Sequence, residues 1–163
     1  MIQDYLAVAI FVSFPEVLLM LLIGFNLCNI RNIKGSKLLI VAAIQAVVAF
    51  LIRMSNIYFG MHTIILTISL YILVVIFFKI KYYKAIIPVF IGMLSQGLLQ
   101  GIIFGIIEAI WNFEMTNLYF THSKLIICSI PIFIVSLILL AVIRNTHFFL
   151  WDINELEGEE FAK

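Results

Sequence analysis

The few residues in this chain that could do chemistry sit inside long apolar stretches. Glu16, within Ser13-Phe14-Pro15-Glu16, lies in the middle of one such stretch. A carboxyl group there has two uses. Held neutral, it donates and accepts hydrogen bonds at once and staples neighbouring helices; open to a path or a cavity, it contacts a ligand or exchanges a proton. A bare carboxylate in hydrocarbon is very unfavourable, so Glu16 is expected to be protonated and bonded to Gln96 or Gln100. Those two amides and Glu108 share a later stretch, Lys84 to Trp111, while Gln45 and Arg53 share another. Arg53 lies about two turns nearer the membrane edge than Glu16. It has three options: snorkelling outward, pairing with Glu108, or reaching down to Glu16. Glu16, Gln45, Gln96 and Gln100, with Arg53 and Glu108, are the candidate polar core.

Enzymatic chemistry has little to stand on. HExxH, GxSxG and paired-aspartate motifs do not occur. His122 and Cys128 are six positions apart, but Cys128 lies in an apolar run and no acid stands beside His122 to orient it. Cys28 and Cys128 are far apart, with no CxxC and no His/Cys cluster, so neither a metal site nor a disulfide is expected. The chain is read as no enzyme and as carrying no cofactor.

The elements that must position these residues follow from composition. Of 163 residues, 64% are hydrophobic and 12% charged, against about 45–50% and about 25% in soluble domains. A net charge of +1 gives no basic face for nucleic acid. Five apolar runs, at 4–28, 37–57, 61–80, 84–111 and 124–146, are each long enough to span a bilayer as a helix. The fold class is therefore an all-α polytopic bundle of five transmembrane helices, occupying 1–147. A tail at 148–163 carries interfacial aromatics, then Glu155, Glu157, Glu159 and Glu160. The first run has no basic n-region and no cleavage site, so it is read as a retained helix.

Basic residues orient the bundle. Arg31, Lys34 and Lys37 follow the first run, Lys79, Lys81 and Lys84 the third, and Arg144 ends the fifth. The positive-inside rule puts the N-terminus outside and the C-terminus in the cytoplasm. Pro15 cannot donate to the carbonyl of Phe11, so the first helix is expected to kink there. In the fourth, Gly97, Gly101 and Gly105 form a bare stripe suited to close helix contact or dimerisation, beside the row of Gln96, Gln100, Phe104 and Glu108. That helix is expected at the centre of the bundle, with Gly101→Leu far more damaging than Leu99→Ala. Thr63, Thr67 and Tyr71 form a structural polar stripe in the third.

At SFPEVLLMLLIGF and YFGMHTIILTISLYILVVIFFK the chain resembles the N-terminal multi-helix sensor regions of Agr-type, GHKL-class histidine kinases of clostridia and bacilli, and their kinase-less relatives. The likeness lies in style and spacing: short-looped helices, N-terminus outside, basic inner loops. It covers most of 1–147 and implies no binding residue. The kinase half has no counterpart after Thr146, neither a phosphoacceptor-histidine segment nor N- and G-box motifs. The resemblance thus implies an input-like module that acts through a partner.

The leading expectation is a bacterial inner-membrane signalling or regulatory component. Its partners would be the lipid bilayer, a second copy or a cytoplasmic or membrane protein, and a small or peptide ligand. One alternative is a small transport protein or transporter subunit, since midplane polar sites beside interrupted helices suit that class. The other is a structural membrane subunit. Transport requires a water-accessible path past Glu16, signalling a cavity open to one side with a tail that binds protein, and a structural role full internal satisfaction of every polar group.

Overall fold

The computed structural model describes residues 2–30, 33–55, 61–111 and 122–152. The elements are α1 (Ile2–Val8), a π-helical turn (Ala9–Ser13), α2 (Phe14–Leu27), α3 (Gly35–Met54), α4 (Met61–Phe78), α5 (Tyr82–Trp111) and α6 (His122–Thr146). Among the described residues five helices are long and apolar enough to cross a membrane: Gln3–Leu27, Gly35–Met54, Met61–Phe78, Tyr82–Ile110 and Leu125–Thr146. The first runs through α1, the π turn and α2. No strand occurs among the described residues. In hydrocarbon a helix meets its own backbone hydrogen-bonding needs, and these five runs take that solution.

The kink expected at Pro15 takes the form of the π turn. Phe14 N–H donates to the carbonyl of Ala9, five residues back, so the ladder shifts register just ahead of the residue that cannot donate. At the other end of α2, Asn29 takes a left-handed conformation (φ 56°) and Ile30 N–H closes onto the carbonyl of Phe25. That pair of features makes a Schellman stop. Lys79 after α4 and His147 after α6 are left-handed as well (φ 54° and 53°).

The centre of the bundle is α2, not the fourth long helix. It packs against α3, α5 and α6, with Leu21, Ile23 and Phe25 almost fully buried. One core cluster joins Val17, Leu21 and Phe25 to Val41 of α3, Val74 of α4 and Val89 of α5. A second joins Leu19, Ile23 and Leu27 to Leu140 and Ile143 of α6. Outward-facing Leu98, Ile102, Ile106 and Ile110 are exposed, a surface suited to lipid and not to water.

The closest approach in the fold is between α2 and α5. A Cβ built on Gly24 would strike the carbonyl oxygen of Pro88, and one built on Gly92 that of Met20. Met20 and Gly24 are four apart, as are Pro88 and Gly92, so each helix offers a bare turn to the other. By contrast Gly97, Gly101 and Gly105 would meet nothing within 4 Å. The stripe expected to be a contact face within the bundle is exposed, because the row at 88, 92, 96 and 100 is the one turned inward.

Candidate functional site

Polar side chains of the first long helix stand at the π turn and just after it, Ser13 and Glu16, and again at its far end, Asn26, with only apolar residues and Gly24 between. The antiparallel crossing that sets Gly24 on Pro88 and Met20 on Gly92 brings Glu16 to the turn Gln96–Gln100 of α5. Gln100 Nε2 donates to Glu16 Oε1, one of the two partners expected for this carboxyl. On the π turn, buried Ser13 accepts a 2.8 Å hydrogen bond from Arg53 Nη1. Arg53 also stands near Glu16, and His62 of α4 stands near Arg53. Of the three options open to Arg53, the structure takes a route toward Glu16 through Ser13. A guanidinium on a long stem spans the two turns that separate Arg53 from the level of Glu16.

Glu108 stands exposed near the end of α5, away from the Arg53–Ser13 contact. Gln45 of α3 is 2% exposed and fully engaged within the protein. Its Nε2 donates to the carbonyl of Leu66 (2.8 Å), and its Oε1 accepts from the Ser69 hydroxyl (2.5 Å), which fastens α3 to α4. Gln96 turns to α6, where Ser136 Oγ donates to its Oε1 at 3.1 Å. Glu16, Gln100, Arg53 and Gln96 therefore hold α2, α3, α5 and α6 together, while Gln45 belongs to a separate α3–α4 joint. The stripe on α4 is structural in its geometry: Thr67 Oγ1 back-bonds to Thr63 O (2.7 Å) and Tyr71 OH reaches Tyr82 O (3.0 Å).

Sequence reasoning missed Ser69 and Ser136, since a serine in a helix ordinarily satisfies itself on its own backbone, as Ser95 does here. It also missed Gly24 and Gly92. The signal was present: extending the row of Gln96 and Gln100 back by fours reaches Gly92 and Pro88.

The C-terminal segment returns to the end of α2. Leu150 and Trp151 N–H groups both donate to the carbonyl of Leu27 (2.8 and 3.2 Å), and Asn29 Nδ2 donates to Asp152 Oδ2 (2.6 Å). Leu27 O is one of the carbonyls that a helix end leaves open, and the tail closes it. Lys37 does the same for α4, donating to Phe77 O at 2.8 Å. Beneath the tail a groove of about 470 Å³ runs between Leu27, Ser95, Leu139, Ile143, Phe148 and Leu150.

Among the described residues no group of three or more His, Cys, Asp or Glu side chains comes together as a metal site. Cys128 is buried, while the His122 side chain, the loop 112–121 and the acidic tail 153–163 lie outside the described residues. No family model, curated protein or solved structure matches the chain.

Proposed function

We propose that this chain is an integral membrane signalling or regulatory component that acts through a partner protein, with its C-terminal segment as the output. One observation carries the reading. The helix that holds the π turn, Ser13, Pro15 and Glu16 is the helix from whose far end the tail hangs, by two backbone hydrogen bonds and the Asn29–Asp152 contact. A π turn before a proline is a place where a helix can change register at small cost, and such turns concentrate at functional sites. A shift of register there rotates everything that follows in α2, including Leu27 and Asn29. Input at the polar cluster thus reaches the tail through one rigid element.

The same reading puts the basic end of the bundle in the cytoplasm of a bacterial cell, with the N-terminus outside. Cysteines at Lys34 and Tyr82 are then shielded from an impermeant thiol reagent in intact cells, whereas one at Asn117 reacts. Labelling at 34 but not at 117 reverses the orientation. The signalling reading is tested by electron–electron distance measurement between spin labels at exposed Ser36 and exposed Phe149 in lipid nanodiscs. Ser13→Ala and Glu16→Gln should both shift or broaden that distance. Folded variants with an unaltered tail distance count against α2 as the relay.

A further inference from the structure

Gln45 and Gln96 are equally buried, each 2% exposed, and both stand in long apolar helices. Gln45 has both ends of its amide engaged by protein. Gln96 has one: Oε1 accepts from Ser136, while Nε2 is, among the described residues, the one fully buried side-chain polar atom without a partner. Turning the amide over does not help. Nε2 would then donate to Ser136, and Oε1 would be the atom left over. Buried polar groups are almost always paired, and within an apolar bundle the pressure is greater still.

The surroundings narrow what can meet this need. Ser136 is fully buried and lies one turn from Leu140, which packs on Leu19 and Ile23 of α2, so Gln96 sits in the wedge between α2, α5 and α6. The groove beneath the tail reaches Ser95 and Leu139, the residue before Gln96 and a residue within one turn of Ser136. The groove thus comes within one residue of Gln96 along α5 and within one turn of Ser136 along α6. A cation is repelled by an N–H donor, and an anion would bring unpaired charge among apolar side chains. A neutral molecule of one heavy atom that both donates and accepts serves either orientation of the amide.

We infer that the wedge between α2, α5 and α6 is a binding site for an internal water molecule, held by the Gln96 amide beside Ser136. This site lies one turn of α5 from the Glu16–Gln100 contact and so extends the polar layer from Arg53 across to α6. Buried waters of this kind fill the unmet valences of polar groups and persist as part of the fold.

The chain's glutamines, Gln3, Gln45, Gln96 and Gln100, make the test direct. Protein with ¹⁵N-labelled glutamine side chains is placed in bilayers, and magnetisation transfer from water to each amide is measured by solid-state NMR. Gln96→Leu assigns the signal; should that variant not fold, Ser136→Ala identifies Gln96 by moving its resonance. Transfer to Gln96 is expected to be severalfold faster than to Gln45, the equally buried reference whose partners are all protein. Equal, slow transfer to the two amides overturns the inference.

Discussion

The two halves of α5 carry the same residue type and use it in opposite ways. In the half near Tyr82, Gly92 lets the helix lie directly on the backbone of α2, with Pro88 and Met20 as the opposing carbonyls. In the half near Trp111, Gly97, Gly101 and Gly105 meet nothing, and the helix is held instead by Gln96 on Ser136 and Gln100 on Glu16. Backbone contact fixes the first half; polar side chains fix the second. Regular spacing of small residues is thus insufficient to mark an interface, since the decisive matter is which row faces the neighbouring helix.

The sharpest way to break this contrast is to enlarge Gly92. In Gly92→Leu the new side chain starts in the carbonyl of Met20, and backbone cannot yield as a flexible side chain would. The expected loss is about 3 kcal/mol or more, measured by unfolding in detergent. A wild-type midpoint would discard the close crossing.

Next comes Glu16→Lys, which attacks the other half. It sets a second cation within the field of Arg53 and turns a donor toward the Gln100 donor, at a cost of about 3 kcal/mol. Glu16→Gln keeps a side chain that can accept from Gln100 and should fold normally. The two variants unfolding alike would remove Glu16 from the joint. Smaller again is Gln100→Leu, which deprives Glu16 of its hydrogen bond and should cost about 1–2 kcal/mol; stability at or above wild type would show that the contact holds nothing together.

Gly101→Leu is expected to change stability by less than about 0.5 kcal/mol, the reverse of what the spacing alone predicts. A large loss would mean that the stripe is covered after all. Cys28 reports on the crossing independently. It is fully buried one turn beyond Gly24, so labelling should be slow. Gly24→Leu, by prying α5 away, should expose the thiol and speed labelling. An equally inert thiol in that variant would show that α5 does not shield it.

By itself the sequence determined that the chain is a set of five long apolar helices, because run length and hydropathy depend only on local composition. It also determined that Pro15 disturbs the first of them, since the missing N–H is a property of the residue, and that Glu16 needs an amide across an antiparallel pair. Only the tertiary structure decided which helix is central, which glycines touch, and that Arg53 bends to Ser13 rather than to Glu108. Those outcomes depend on the rotation of each helix about its axis. Where nearly every face is apolar, hydrophobic periodicity hardly constrains that rotation; it is fixed by backbone collisions and a few hydrogen bonds that exist only once the helices meet.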